Sequence, residues 1–343
     1  MLVSAWADDR LRADVKEGRR PCPEFLRLES FGVQLLDWSR LKLPRGSRSV
    51  VRSLRHLAAA YRHLPNRGAI FSDGEHLGIP LGILLRARRT RVAHVVIGHH
   101  LTTGRKRPFF RILHADRGMS RVLLHSRRQM HHAETDLRIP MRKLHLVPYF
   151  VDTTFWQPGT GADDRLIVSA GAEHRDFTTL ARASDGLDVP VAIALGSVHS
   201  PGALRHQPAG WPSQFQVSFN DYAQLRDLYR RARLVVVPII ETDFQAGITT
   251  VLEAMAMGKA IITTATAGRT EVIVDGETGI LVPPGDTLAL RAAIQRLLSD
   301  PQERKRLGEN ARAAAESSYG LDRYAGRLYQ HLVDAEPIGG AAG

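Results

Sequence analysis

The chain has 343 residues, a length that favours two domains of ordinary size over one, and its 43% hydrophobic content is enough for full cores. Lys and Arg outnumber Asp and Glu by 47 to 35, a formal net charge of +12 that favours anionic partners. The single cysteine, Cys22, excludes an internal disulfide and fits a reducing compartment, and apolar runs of about seven residues fall far short of the roughly 20 that a membrane-crossing helix needs.

The chain opens MLVSAWADDRLRADVKEG, which reaches charge at Asp8 and has no apolar core of a leader, so no signal peptide and a cytoplasmic location are expected. Strand and helix signals then alternate throughout, the pattern of doubly wound α/β domains. Residues 68–72, GAIFS, read as a strand that ends at Asp73-Gly74-Glu75. Residues 77–86 read as a helix with Pro80 tolerated in its first turn. Residues 92–97 read as a buried strand closed by Gly98-His99-His100, residues 121–125 as a third strand followed by Ser126 and a polar helix, and residues 144–147 as a fourth.

Charge is divided unevenly over these elements. Residues 1–160 hold 29 Lys/Arg against 13 Asp/Glu, a net of +16, while residues 161–343 hold 18 against 22, a net of −4. Between Arg86 and Arg128, twelve Lys/Arg accompany one acid, Asp116. Such a field suits an acidic phospholipid surface, a phosphorylated lipid acceptor or an acidic glycan, and it equally fits a solvated basic face. Few aromatics interleave with the charges and no known binding module appears, so no nucleic-acid partner is expected.

A domain boundary is expected near Gly159, after the segment VPYFVDTTFWQP. Residues 166–170 and 191–195 read as the first strands of the second domain, and residues 217–219 as a third. Residues 300–303, DPQE, place a capping Asp, a Pro at the first helical position and an acid at the third, so a helix opens there. The expected division is 1–158, 159–320, a closing helix over 321–335 and a disordered tail over 336–343.

The densest pattern spans residues 234–286. Residues 234–240 are a β-branched apolar block, as in a parallel strand covered on both faces. Gly247 then permits a tight turn, a helix begins near Thr249 with Thr249 or Thr250 as its cap, and residues 260–263 resume a strand. The free N–H groups and positive dipole end of that helix make an anion site. Glu253 lies one turn inside the helix at the carboxyl edge of a parallel sheet, where open α/β sheets bind ligands, and can accept two hydroxyl hydrogen bonds. An ordinary strand-helix-strand unit with a solvated Glu253 is the plainer alternative.

These residues resemble the signature of the retaining glycosyltransferases of family four, in which a glutamate, seven residues and a second glutamate precede a small-rich helix and a strand. The second glutamate is Glu253, followed by AMAMGKAII; eight positions earlier stands Gln245 in place of the first. EVIVDGETGILVPPGD matches the usual continuation. The resemblance implies a GT-B fold, two doubly wound Rossmann-like α/β domains facing a central cleft, with residues 147–158 as the hinge and the last helix crossing back toward the first domain. It covers the C-terminal half well and the N-terminal half loosely, since no glycine-rich turn follows a first strand; either another loop closes over the acceptor or a strand stands ahead of the first residue given.

The resemblance also implies the site. Glu253 holds the donor ribose; Arg175, with His174 beside it in the loop from Gly171, and the amides of Gly247, Ile248 and Thr249 hold the diphosphate; Gln245 and Ala246 border the hexose; His99 approaches the donor sugar. A planar guanidinium suits phosphate by donating two parallel bonds. An amide at position 245 cannot serve as nucleophile or base, which favours front-face transfer. The expected function is a retaining hexosyltransferase that uses a nucleotide-diphosphate sugar, with no metal or other cofactor and an acceptor that the sequence leaves open. A non-catalytic sugar-nucleotide-binding subunit, or an epimerase or phosphorylase on the same fold, is the alternative. Peripheral attachment to the inner face of a membrane is a further candidate.

Overall fold

Among the described residues ten short strands pair in parallel, and the central ones, such as β2, β5, β6 and β9, are buried along their whole length, as parallel strands covered on both faces are. The computed structural model describes residues 1–42, 49–62, 67–88, 92–101, 104–159, 164–195, 210–243, 245–268 and 271–338. The strands are β1 (Gly68–Ser72), β2 (Val92–Gly98), β3 (Arg121–Leu124), β4 (Leu144–Leu146), β5 (Leu166–Ala170), β6 (Val191–Leu195), β7 (Phe215–Phe219), β8 (Ala232–Val237), β9 (Ile261–Thr264) and β10 (Ile280–Val282). They form a four-stranded sheet in the order β1-β2-β3-β4 and a six-stranded sheet in the order β10-β9-β8-β5-β6-β7.

The chain divides into two compact units. One comprises Met1–Lys16, Cys22–Pro148 and Asp322–Gly343; the other comprises Glu17–Pro21 and Tyr149–Leu321. The break at Pro148 falls ten residues before the expected one at 158, because Val151, Phe155 and Trp156 are part of the second unit's core and Val151 N–H bonds to Tyr319 O at 2.9 Å. The closing helix is Leu321–Val333, and residues 322–338 pack with the first unit. Glu336–Ile338 is not a loose tail, since Ile338 N–H bonds to Val92 O at 3.2 Å and Ser120 donates to Glu336 O at 2.6 Å. The rest of the expected tail, 339–343, lies outside the described residues.

In the first unit, Leu2 makes parallel bridges to both Leu36 and Ser72, so the first residues run beside β1 without a glycine turn. The helix after β1 is Glu75–Arg88, which places Pro80 in its second turn and not its first. Proline there removes one helix hydrogen bond. No helix among the described residues is long and apolar enough to cross a membrane.

The second unit shows the two-residue period of a covered sheet. Val168, Ala192, Ala194, Val235 and Val237 enter the core on one face, while Ile167, Val191, Ile193, Leu234 and Val236 enter the core on the other. Asp300 accepts from Glu303 N–H at 2.9 Å and opens the helix Pro301–Ala314, as its sequence indicates. Parallel strands of this kind present all their carboxyl ends along one edge, and the loops after β5 and β8 gather there.

Candidate functional site

The loop after β5 is built around the Arg175 side chain. Gly171 leaves β5 at φ +83°, and a Cβ there would collide with Arg175 Nη2. Residue 171 must therefore be glycine both for its backbone and for the space it vacates. Arg175 is buried. Its Nε donates to Ala170 O at 2.8 Å, Nη1 to Glu173 O at 3.0 Å and Nη2 to the Thr250 hydroxyl at 3.0 Å. Burial lowers its pKa to about 10, against the opposing pull of Tyr229 and Glu253, so it remains a cation at neutral pH. The sequence suggests a guanidinium fork open to a phosphate; in the structure three of its five N–H groups are spent on its own loop and on the helix after β8. His174 is exposed in left-handed backbone, φ 56°, and its carbonyl accepts from Ile240 N–H at 3.0 Å, which ties this loop to the one after β8.

The helix after β8 is Ile248–Ala256, and its cap is Gly247 in left-handed backbone, φ +75°. This corrects the expected capping by Thr249 or Thr250: no side chain caps the helix, and Thr250 instead receives the bond from Arg175. A Cβ on Gly247 would lie 2.9 Å from Ile239 Cδ1 and 3.3 Å from Arg175 Nη1. The uncapped first turn, with Thr249 exposed, therefore stands beside a buried cation, and dipole and charge add in sign.

Gln245 is buried, and its Nε2 has no hydrogen-bond partner among the described residues. With Ala246, Ile239, Ile248, Thr263 and Thr264 it lines a cavity of about 20 Å³, room for a single water. Glu253 lies deeper. Tyr229 donates its hydroxyl to Glu253 Oε2 at 3.1 Å. Burial pushes the Glu253 carboxyl up to about 8, with Tyr229 and Arg175 pulling the other way. Burial and the neighbouring Glu253 raise the Tyr229 phenol well above its ordinary value. The network Glu253–Tyr229–Thr250–Arg175 thus joins one half-buried, titrating carboxyl to three buried side chains. Tyr229 was not singled out from the sequence; the available signal is that it is the buried residue of an otherwise polar helix, Tyr222–Arg231, directly before β8.

In the first unit, the ends of β1 and β2 carry a second cluster. Glu75 accepts from His99 N–H at 2.9 Å, from His100 N–H at 3.1 Å and from Lys106 Nζ at 2.6 Å. Burial acts to raise the Glu75 carboxyl, but Lys106 and the backbone donors overrule it and hold it at about 2. His125 donates from Nδ1 to Val147 O at 2.9 Å, which leaves its Nε2, 3.3 Å away, to accept from His99 Nδ1. Burial, then the neighbouring His99, lowers the His125 pKa to about 3, so this ring is neutral. His99 Nε2 lies 3.0 Å from Asp73 O, an acceptor. Both ring nitrogens of His99 thus lie within hydrogen-bond distance of groups of its own unit. The fold therefore commits both nitrogens of His99 to its own unit. Among the described residues, no three His, Cys, Asp or Glu side chains gather as a metal-binding set.

Residues 209–314 match the family described as "Glycosyl transferases group 1", which contains the strand-helix-strand unit around Gly247 and Glu253. The chain is 26% identical over 286 residues to alpha-D-kanosaminyltransferase of Streptomyces kanamyceticus, covering 75% of this chain and 72% of that one. It is 30% identical over 196 residues to the MMP alpha-(1->4)-mannosyltransferase of Mycolicibacterium hassiacum, covering 53% of this chain and 46% of that one. In fold it is similar to a glycosyltransferase from Rickettsia africae, with a TM-score of 0.69, 16% identity and 97% of both chains covered. It is likewise similar to Anabaena Alr3699/HepE, solved in complex with UDP-glucose, with a TM-score of 0.68, 14% identity, 97% of this chain and 91% of that one. The match over residues 209–314, the named relatives and the paired parallel sheets together support a glycosyltransferase of GT-B fold, similar to the group 1, family-four-like kind.

Proposed function

We propose that the chain is a retaining hexosyltransferase that draws its sugar from a nucleotide diphosphate and works without a metal. The observation that carries this reading is the uncapped helix N-terminus at Gly247 with Glu253 one to two turns further along the same helix. A diphosphate is stabilised where helix amides and a cation converge, and Arg175 together with the amides of Gly247, Ile248 and Thr249 supplies both. Glu253 takes the ribose hydroxyls, Gly171 and His174 border the phosphates, and Ala246 and Gln245 border the hexose. The UDP-glucose held by Alr3699/HepE, a protein of like fold, supports this choice of donor class.

In the proposed reaction an acceptor hydroxyl oxygen attacks C1 on the face from which the nucleotide departs. The bond from C1 to the phosphate oxygen breaks, the leaving phosphate takes the acceptor's proton, and the products are a glycoside of unchanged anomeric configuration and a nucleoside diphosphate. The positive end of the helix offsets charge as it develops on that phosphate. Gln245 carries no lone pair basic enough to serve as nucleophile, so a double displacement through position 245 has no agent. The test is the anomeric configuration of the product by NMR, using a donor selected by thermal shift. Retention with no glycosyl-enzyme adduct is expected; inversion, or an adduct detected by mass spectrometry, would remove the proposal.

A further inference from the structure

The segment between β2 and β3 carries an apolar face that the fold does not use. Phe110 anchors the short helix Arg107–Arg111 in the first unit's core, packed with Ile79, Val96 and Met119. Phe109, Ile112 and Leu113 point away and remain 41%, 71% and 44% exposed. At spacings of three and four residues they share one side of a helical turn. Single exposed apolar side chains are ordinary on a soluble surface, but three large ones on one side of a turn are a patch.

The patch is ringed by cations. Arg105, Arg107 and Arg111 are all exposed, and Arg107 is the one with a carboxylate partner among the described ion pairs, Asp136 at 2.7 Å. Arg111 spends Nε on the Asp136 carbonyl at 2.7 Å, which fixes its charge beside the patch and near the Asp136 carboxylate. The same segment is tied to the strand ends of its own unit: Lys106 Nζ bonds Glu75, and Glu75 holds the amides of His99 and His100. Three apolar side chains cover far less than the roughly 800 Å² per partner of a stable protein interface. They suit insertion into the boundary of a bilayer, where a few apolar side chains and a ring of Arg act together.

We propose that Phe109, Ile112 and Leu113, ringed by Arg105, Arg107 and Arg111, form a docking face for an anionic lipid bilayer. Docking in this way brings a lipid-borne acceptor to the strand edge that carries His99. The docking itself is independent of the donor assignment; only the class of acceptor rests on it.

The experiment is co-sedimentation of the full chain with vesicles of phosphatidylcholine alone and of phosphatidylcholine mixed with phosphatidylglycerol, at low and high salt. The protein is expected to partition onto the mixed vesicles and to be released as salt rises. Ile112→Asp with Leu113→Asp is expected to lower partitioning about tenfold or more, and Arg105→Gln about fivefold, the size of one cation near an anionic surface. These positions are exposed, so the variants should fold, and an unchanged thermal midpoint confirms it. No partitioning onto anionic vesicles, equal partitioning onto neutral ones, or variants that bind as well as the parent would each overturn the proposal. Vesicle binding without any response to nucleotides would remove the donor reading and leave the docking face standing, so the two fail separately.

Discussion

Tyr229 donates its phenolic hydroxyl to Glu253 Oε2 at 3.1 Å across 24 residues of sequence, joining the helix before β8 to the helix after it. The bond holds a carboxyl that burial has pushed up to about 8. At neutral pH the empty site therefore carries a largely protonated Glu253, whereas two ribose hydroxyls are best accepted by the ionised form. Nucleotide affinity should then rise with pH by up to about tenfold per unit below 8 and level off above it. Calorimetric titration of a nucleoside diphosphate from pH 6 to 9 measures this; a flat profile would mean that Glu253 does not meet the ribose as a carboxylate.

The same carboxyl bears on stability. Its folded pKa of about 8 lies above the ordinary 4.5, so its neutral burial contributes stability in full below about 4.5, and that contribution is lost as pH rises through 8. Glu253→Gln keeps the shape and removes the titration. The variant should melt several degrees above the parent at pH 8 and lose that advantage toward pH 5, as followed by calorimetry across that range. Glu24, which burial pushes up to about 7, titrates in the same window in both proteins and cancels in the comparison.

Arg175 is expected to be structural and electrostatic at once. Arg175→Met deletes bonds to Ala170 O, Glu173 O and Thr250 and should destabilise the fold by about 3 kcal/mol or more. It also removes the cation that lowers the Glu253 carboxyl, so the pH at which nucleotide affinity levels off should move upward. A loss of stability with no such movement would separate Arg175 from the ligand.

Gly247 has less room than any cap residue with a side chain requires. Gly247→Ala asks a Cβ to sit at φ +75° and 2.9 Å from Ile239 Cδ1, so about 1–2 kcal/mol of stability should be lost. Displacement of the first-turn amides should also weaken nucleoside diphosphates more than nucleosides. Equal weakening of both would place the diphosphate elsewhere.

Signals in the second unit are largely local. A β-branched run bounded by turn residues gives β5 and β6 at their observed limits, and Asp300 with Pro301 marks a helix start that depends on no distant partner. The division between units lies earlier than the sequence suggests because Phe155 and Trp156 look like linker aromatics yet pack into the second unit's core. Leu2 pairs through single bridges with Leu36 and Ser72, which leaves no periodicity to read at the N-terminus. The placement of Arg175 after β5, and of Gly247 and Glu253 at and within the helix after β8, is legible in sequence. The inward turn of the Arg175 fork is not, since it follows from space vacated by Gly171 and from a hydroxyl 75 residues away. The commitment of His99 to Asp73 and His125 has the same origin, in groups 26 residues distant on either side.

The central claim is that Glu253 anchors the nucleotide of a sugar donor. The most direct measurement is thermal shift of the parent protein and of Glu253→Gln against UDP, GDP, ADP and TDP and their common sugars, at a pH where the carboxyl is ionised. The account predicts a selective rise with one base in the parent and a response reduced about tenfold in affinity in the variant, which should itself fold. An equal rise in both proteins, or no rise with any nucleotide in the parent, would contradict it.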